Sequence, residues 1–232
     1  MSKFVQEHLD VLKNIEHNKQ GAVGTSVRNW ILDIVPNKAY NTFNIDSIPN
    51  AKISREDIFE MSRNRDTGDL EVALCVLAWG GMRRDHGRRL LQTKTHWLPI
   101  VEAMRAGDFK SRSDAYKEFM RVRKEGYLKG MGPAFFTKLI CFLNREAKAF
   151  IMDQWTGKSI NLLLGKDLVH LNRLGLVTDD NDEMIYDQFC HQIEKLSEIL
   201  GLSPLETEER IFSEGRGKGE WRNYLIENYQ SF

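Results

Sequence analysis

Residues 70–79 read L-E-V-A-L-C-V-L-A-W, a run that is apolar on every side when it is wound into a helix. Such a helix does not suit the surface, so we expect it to run through the centre of the molecule. The elements around it are predicted to be helices too, because helical periodicity dominates the chain and no pair of alternating strands with hairpin turn residues is present. The sequence therefore predicts an all-α fold with residues 69–165 as its middle.

Helical periodicity and start signals define the individual elements. We predict helices at 3–18, 26–35, 55–64, 69–80, 84–92, 96–106, 112–126, 133–146, 154–164, 182–200, 204–213 and 219–228. Three of them begin with N-terminal capping signals: Ser54 with Asp57, Ser111 with Asp114, and Ser203 followed by Pro204 with Glu206. Because these side chains can accept hydrogen bonds from first-turn amides, these three boundaries are the best defined.

Bulk composition excludes several classes of protein. The chain has 232 residues, enough for one domain or two closely packed lobes, and its 41% apolar and 28% charged residues are typical of a globular protein. No apolar run approaches the length of a membrane span, and the N-terminus lacks the apolar core of a signal peptide. We expect a cytoplasmic protein with no membrane partner, associated with the nucleoid if it is bacterial.

The three cysteines, Cys75, Cys141 and Cys190, are odd in number, far apart and surrounded by apolar residues. We interpret them as buried free thiols rather than disulfides. Their spacing also excludes a four-cysteine iron–sulfur cluster or zinc ribbon. The sequence thus predicts no metal and no other cofactor.

Charge is balanced over the whole chain but sorted along it. The net charge is zero, which argues against a protein that binds nucleic acid by bulk charge alone. Residues 82–94 carry five basic residues against Asp85, a balance of +4, and residues 121–138 carry five against Glu125, again +4. The segment 178–214 is strongly acidic. Each basic segment is either a solvated helix face or part of a nucleic-acid surface.

Residues 156–159, Thr-Gly-Lys-Ser, have the letters that end a nucleotide-binding P-loop. A P-loop needs a further glycine five positions before the glycine of this motif, because backbone N–H groups must close around phosphate. That position is Met152, and residues 133–150 have helical rather than strand periodicity. We therefore favour a different explanation for the polar segment 153–159.

The segment before it combines two glycines with a helix start. A helix rich in Arg and Lys leads into Lys129, Gly130, Met131 and Gly132, and Pro133 then occupies the first turn of the next helix. Glycines on both sides of one apolar residue allow a tight turn whose backbone can approach a ligand, while Met131 can fill the space between the helices. The first amides of the second helix are unpaired and partly positive, which suits a phosphate oxygen. This pattern predicts a sequence-independent contact with a nucleic-acid backbone.

These residues resemble the helix-hairpin-helix superfamily of DNA glycosylases, in which a hairpin of pattern L-x-G-h-G-x-x-x-A/h precedes a catalytic aspartate at a helix start. Residues 130–132 match the hairpin, and Asp153 lies 19 residues after Ala134, the interval of the 8-oxoguanine branch. Positions 151 and 152 are Ile-Met where the family often has Pro-Val. By this resemblance Lys129 to Gly132 and Ala134 contact the DNA backbone.

The resemblance covers residues 69–165 and implies two packed helical lobes with a helix-hairpin-helix motif and a cleft between the lobes. It divides the chain into N-terminal helices at 1–68 that pack on the core, the glycosylase core at 69–165, and C-terminal helices at 166–232 that complete the other lobe. We retain this division as a prediction.

Asp153 is the catalytic residue that the resemblance implies. Cleaving an N-glycosidic bond builds positive charge on the deoxyribose, and a carboxylate near C1′ stabilises that charge and orients a water molecule. Asp153 is also suited to cap a helix by accepting from the N–H of Trp155 or Thr156, and the two roles are compatible. Bifunctional members carry a lysine nucleophile where this chain has Ala134, so we expect a monofunctional enzyme. Lys138 lies one helical turn later and has two possible roles. It could reach the pocket as a nucleophile, but we favour a phosphate contact or a solvated charge.

A flipped base is held by stacking and by hydrogen bonds to its edge. The candidates for this pocket are Gln154, Trp155, Trp79 and Phe135, and core packing is the alternative explanation for the aromatic ones. Arg83 and Arg84 would enter the gap left by the base or contact flanking phosphates, or else form surface salt bridges. Lys158 stands where family members often have a basic residue and is either a phosphate contact or a helix-surface charge.

The leading hypothesis is a monofunctional DNA glycosylase that acts as a monomer on double-stranded DNA containing a modified base. The family branch points to an 8-oxoguanine-type lesion. The missing lysine leaves room for a bulky base such as the glucosylated hydroxymethylcytosine of phage DNA, removed as a defence. A non-catalytic helix-hairpin-helix DNA-binding module is the alternative, and a helical interaction protein without a nucleic-acid role would require the glycine hairpin to be a coincidental turn.

Overall fold

The computed structural model describes residues 3–16, 21–35, 44–144, 147–213 and 219–230. Its α-helices are α1 (Gln6–Asn14), α2 (Val27–Ile34), α3 (Arg55–Arg63), α4 (Asp69–Trp79), α5 (Arg84–Gln92), α6 (Lys94–Ala106), α7 (Arg112–Lys124), α8 (Pro133–Leu143), α9 (Gln154–Leu164), α10 (Glu183–Leu200), α11 (Pro204–Phe212) and α12 (Glu220–Asn228). A 3-10 helix occupies Ile45–Ser47. The described residues form no strand and contain only two isolated antiparallel bridges, so the predicted all-α class is confirmed.

Each described α-helix corresponds to a predicted one. The structure shortens the helices predicted at 3–18 and 133–146, and the predicted ends at 17–18 and 145–146 lie outside the described residues. All three capping signals are confirmed: Ser54 accepts from the N–H of Asp57, Ser111 from that of Asp114, and Ser203 from that of Glu206.

The helices form two compact units. The central unit comprises residues 21–149 and holds α2 to α8, whereas the terminal unit comprises residues 1–20 and 150–232 and holds α1 and α9 to α12. The resemblance implied a division into three parts, at 1–68, 69–165 and 166–232, and that division stays a prediction.

Helix α4 forms the core of the central unit. It packs against α2, α3, α6 and α8, and every residue from Val72 to Trp79 is buried. Burial on all sides is what the apolar run at 70–79 predicted. Gly87 lets α5 approach α2, since a Cβ atom at this position would lie 2.9 Å from Cζ2 of Trp30. The indole N–H of Trp30 donates to the carbonyl of Met82 at 2.7 Å, which fixes the segment leading into α5.

Helix α9 forms the core of the terminal unit, where it packs against α1, α10, α11 and α12. The hydroxyl of Ser159 on α9 donates to the carbonyl of Ile211 at 2.9 Å and accepts from the indole N–H of Trp221 at 2.9 Å. All three residues are buried and these polar groups are satisfied, so their burial carries little penalty. This linkage joins α11 and α12 to the middle of α9.

Three further properties concern the described part of the chain. All three cysteines are buried and none of them forms a disulfide, as predicted. No described helix combines the length and the apolar character needed to span a bilayer. Among the same residues, no group of three or more His, Cys, Asp and Glu side chains could hold a metal ion.

Candidate active site

The turn between α7 and α8 is fixed by its neighbours. Gly130 has φ +91°, a left-handed conformation, and a Cβ atom there would lie 2.6 Å from Cγ of His86 on α5. Glycine is the residue that meets both conditions. Arg123 donates to the carbonyl oxygens of Leu128 and Met131 at 3.1 and 3.0 Å, which holds the turn from the α7 side. Met131 itself is fully buried.

Helix α8 begins directly after this turn. Gly132 is its N-cap residue and Pro133 its first helical residue, so no side chain caps its first amides. Such amides carry partial positive charge and can bind an anion. Lys129 is exposed on the turn, and Ala134 is half-buried on the first turn of α8. The turn and helix start thus have the backbone features of an anion contact.

The contact between His86 and the turn brings the two basic segments together within the central unit. Arg83 pairs with Asp85 at 3.0 Å, and Arg84 pairs with Asp33 at 2.5 Å. All four side chains are exposed, so these ion pairs contribute little to stability and can be exchanged for contacts with phosphate. Both arginines therefore form the surface salt bridges that were one of their two predicted roles.

Trp79, Phe135 and Lys138 also belong to the central unit. Nζ of Lys138 donates to the carbonyl of Ala134 at 2.8 Å and lies 5.8 Å from the ring centroid of Phe135. Lys138 is buried, and its stem lies beside Gly80, where a Cβ atom would come within 2.9 Å of Cδ. Trp79, the residue before Gly80, is buried with no hydrogen-bond partner for its indole N–H. An unpartnered buried donor of this kind is available to a ligand.

The sequence analysis missed Asn144, the C-cap residue of α8. Its side chain is buried, and neither Nδ2 nor Oδ1 has a hydrogen-bond partner. Buried amides are normally satisfied, so this residue is a further candidate for contact with the edge of a base. In the sequence Asn144 is a polar residue at the end of an apolar helix. Such residues are common at helix ends, so nothing singled it out.

Asp153 is the N-cap residue of α9 in the terminal unit, and it is 7% exposed. Its Oδ1 accepts from the N–H of Trp155 at 2.9 Å and of Thr156 at 3.3 Å, while its own N–H donates to Oγ1 of Thr156 at 2.9 Å. This reciprocal capping box confirms the structural role predicted for Asp153. Both cap bonds end at Oδ1, and they fix the orientation of the carboxylate.

A buried arginine from α12 lies beside this helix start. The guanidinium of Arg222 stacks on Trp155, with Cζ 4.2 Å from the ring centroid, and Nη2 donates to the carbonyl of Phe212 at 2.5 Å. Arg222 is 2% exposed, and burial lowers its pKa, whereas the negative charge of Asp153 acts to raise it. A buried cation needs such compensation. No motif around position 153 could reveal this arginine, because it lies in the last helix.

Three predicted residues, Gln154, Trp155 and Lys158, occupy the first two turns of α9, and each is half-buried. Nζ of Lys158 lies 5.1 Å from the ring centroid of Trp155 and 5.7 Å from that of Tyr229, and burial lowers the pKa of Lys158. Residues 156–159 are therefore part of a packed helix, which agrees with the rejection of a P-loop.

The predicted site residues fall into two groups. The hairpin residues belong to the central unit with Trp79, Arg83, Arg84, Phe135 and Lys138, and the terminal unit holds Asp153, Gln154, Trp155 and Lys158. The cleft predicted from the resemblance would have to join these groups, and it stays a prediction.

A family model matches most of the chain. The family described as "Putative 8-oxoguanine DNA glycosylase OGG-like protein" matches residues 18–212. The matched range includes the turn after α7 and the start of α9, and it ends before α12, which carries Arg222. No curated protein and no solved structure matches the chain.

Proposed function

Because the chain belongs to the OGG-like family of DNA glycosylases, as its resemblance predicted, we propose that it flips a modified base out of duplex DNA and hydrolyses the N-glycosidic bond of that base. The products are the free base and an abasic site. The observation that carries the proposal is the carboxylate of Asp153, fixed at the start of α9 beside the buried guanidinium of Arg222.

In this mechanism Asp153 acts on the sugar. The electron pair of the glycosidic bond leaves with the base, and the carboxylate stabilises the positive charge that develops around C1′. A water molecule then forms the new bond to C1′, and the proton that it gives up neutralises the departed base. We assign the contact with the sugar and the water to the carboxylate of Asp153, which two amides of α9 hold at Oδ1.

Arg222 is a positioning residue in this mechanism. Its stack on Trp155 fixes the first turn of α9, and its charge and that of Asp153 compensate one another where water is largely excluded. The carboxylate is thus held in one orientation before DNA arrives, which is the condition for efficient stabilisation of a developing charge.

The central unit supplies the proposed contact with the DNA backbone. Gly130 and Gly132 present backbone rather than side chain, and the N–H of Ala134 at the start of α8 would attract a phosphate oxygen. Lys129 adds an exposed positive charge on the same turn. These contacts read no base edges, so they position the duplex without selecting its sequence.

Hydrolysis by water, without a covalent enzyme intermediate, is supported by the residues around α8. Ala134 has no nucleophile, and the amine of Lys138 is engaged by the carbonyl of Ala134 at 2.8 Å. A lysine that attacked C1′ would form a Schiff base that borohydride traps as a protein–DNA adduct. We expect no such adduct with wild-type protein, and its formation by wild-type but not by Lys138→Gln would contradict the monofunctional assignment.

The family description and the aromatic candidates together support a purine lesion of the 8-oxoguanine type as the substrate class. Gln154 and Trp155, which directly follow Asp153 on α9, would contact the flipped base. A glucosylated hydroxymethylcytosine is the second substrate class that the proposal includes, since the residue at position 134 departs from the lysine of the 8-oxoguanine branch.

The test is release of free base by the wild-type protein and by Asp153→Asn. The substrates are a duplex with one 8-oxoguanine opposite cytosine and DNA containing glucosylated hydroxymethylcytosine, with mass spectrometry of the released base as the readout. Wild-type protein should release the base from one of them, and the variant should bind the same DNA without releasing it. Failure of the wild-type protein on both, or unchanged release by the variant, would overturn the proposal.

A non-catalytic DNA-binding module is the second candidate, and the capping role of Asp153 favours it because that role explains the residue without any chemistry. Such a module would bind duplex DNA containing an abasic-site analogue with steep salt dependence and would release no base from either substrate.

A further inference from the structure

Helix α5 lies along the turn between α7 and α8 and contacts that turn at both of its ends. Near the start of α5, His86 lies against Gly130. At its end, Oγ1 of Thr93 donates to the carbonyl of Tyr127 at 2.7 Å. His96, near the start of α6, stacks on the ring of Tyr127 with the two centroids 3.4 Å apart. Three separate contacts therefore fix α5 beside the turn.

Arg89 occupies the edge of α5 that is next to this turn. It lies three residues after His86 and four before Thr93, the two residues of α5 that contact the turn, and residues at this spacing share a side of a helix. Leu90 beside it is buried, whereas the side chain of Arg89 is 59% exposed. The guanidinium of Arg89 is therefore open to solvent at the edge of the turn.

Ion pairs divide the arginines of α5 between two sides of the helix. Arg84 pairs with Asp33 of α2, away from Arg89. On the other side, the carboxylate of Asp85 lies 3.0 Å from Arg83 and 3.9 Å from Arg89. One carboxylate is thus shared between two exposed arginines, and exposed ion pairs of this kind are weak enough to be exchanged for a phosphate.

Positive charge exceeds negative charge in both segments that meet here. Residues 72–101 contain five basic residues and one acidic residue, Asp85, and residues 126–145 contain three basic residues and no acidic one. Both ranges extend as far as the next acidic residue on either side. Lys129 is exposed on the turn itself. Such a surface favours an anionic partner, and a guanidinium suits phosphate because it can donate two hydrogen bonds at once.

We propose that Arg89 binds a second phosphate of the DNA strand whose backbone meets the turn and the start of α8. This inference rests on the proposed function. One phosphate held at the N–H of Ala134 would leave the strand free to rotate about that point, whereas a second contact fixes its direction and register. An acidic protein segment would also match the charge, but the glycine backbone and the amide beside Arg89 favour phosphate.

The experiment measures binding of the full chain to a short duplex with a tetrahydrofuran abasic-site analogue, a probe that needs no catalysis, over a range of salt concentrations. Arg89→Gln should bind about tenfold more weakly at low salt, and its plot of log affinity against log salt should be less steep by about one, because one phosphate contact is lost.

Arg63→Gln is the matched control, because it removes an exposed arginine from α3 of the same unit. Helix α3 meets α8 where Phe59 contacts Phe142, at the opposite end of α8 from the turn. Arg63→Gln should therefore bind the duplex like wild-type, with the same salt dependence.

Replacing Asp85 tests the sign of the effect. Asp85→Asn removes the negative charge beside Arg89 and should bind the duplex about threefold more tightly at low salt, because that charge repels phosphate. Asp108→Asn removes an exposed carboxylate just beyond the end of α6, about 15 Å along that helix from His96, and should bind like wild-type. A gain in affinity is the opposite of what damage to the fold would produce.

Equal affinity and salt dependence for Arg89→Gln and Arg63→Gln would overturn the inference, as would Asp85→Asn binding no more tightly than Asp108→Asn. Displacement of the labelled duplex by poly-glutamate as readily as by unlabelled duplex would assign the surface to an acidic protein and overturn it too.

The two proposals fail separately. If wild-type protein releases base and Arg89→Gln binds like Arg63→Gln, the contact at Arg89 is wrong and the glycosylase stands. If wild-type protein releases no base but Arg89→Gln lowers the salt dependence, catalysis is wrong and the contact stands. If wild-type protein does not bind the duplex, both are wrong.

Discussion

Replacing Asp153 by Asn and by Ala separates its two roles, because only Asn keeps the helix cap. The amide oxygen of Asn can accept from Trp155 and Thr156 as Oδ1 of Asp153 does, at 2.9 and 3.3 Å. Ala accepts neither bond. Both variants remove the negative charge beside Arg222, so any difference between them reports the cap alone.

The magnitudes follow from these contacts. Losing an N-cap side chain costs about 1 kcal/mol of folding free energy. Arg222 keeps its bond to Phe212 and its stack on Trp155 in both variants, so the loss of the negative charge affects both to the same extent. Asp153→Ala should therefore be about 1 kcal/mol less stable than Asp153→Asn.

The assay is urea unfolding of each variant together with the rate of base release under folding conditions. Asp182→Ala is the matched control, since Asp182 caps α10 by accepting from the N–H of Ile185 at 2.8 Å in the same unit. It should lose about 1 kcal/mol and release base like wild-type. Asp153→Asn should slow release at least about 100-fold while folded. Wild-type release by folded Asp153→Asn would refute the catalytic role, and equal stability of Asn and Ala variants would refute the reasoning about the cap.

Three other outcomes are expected. Gly130→Ala should lose about 2 kcal/mol of folding free energy and bind duplex DNA more weakly, because the new Cβ atom adds backbone strain and a clash with His86. Gly126→Ala is the control: Gly126 also has a positive φ, +88°, but its added Cβ atom would meet no atom within 4 Å, so DNA binding should change little. Thermal melts and fluorescence anisotropy compare the two variants. Arg222→Lys keeps the charge but not the planar stack, so base release should fall about tenfold with DNA affinity unchanged, as single-turnover rates and anisotropy would show. Burial raises the pKa of Cys75 to about 12, so its thiol stays neutral until the pH approaches that value, and Ellman's reagent at neutral pH should modify it only after unfolding.

The sequence was sufficient to predict the helices because local chemistry determines them. The apolar run at 70–79 can be satisfied only by burial on all sides, and α4 is buried on all sides. Capping boxes such as Ser54 with Asp57 are closed within four residues of chain, so they need no tertiary information. The C-terminal end of α1 was predicted at residue 18, whereas the helix ends at Asn14, because no local stop signal in the sequence marks that end.

The parts of the site that were missed depend on contacts between distant residues. Arg222 reaches the start of α9 from α12, and its identity as a buried cation follows only from the packing of Trp155 and Phe212 around it. Burial and partner identity at such positions are properties of the folded chain.

The two helix starts in the candidate site differ in a way that assigns their roles. At α9 the first amides are already bound by the carboxylate of Asp153, so a phosphate would have to displace a negative charge to reach them. At α8 the N-cap is Gly132, which offers no side chain; Pro133 has no N–H and Phe135 and Phe136 donate to the carbonyl of Gly132, so the N–H of Ala134 is the first-turn amide offered to an anion. The backbone of DNA should therefore meet α8, and α9 is left to present a carboxylate to the sugar. The same difference argues against phosphate binding at Thr-Gly-Lys-Ser in α9, despite letters that match the end of a P-loop.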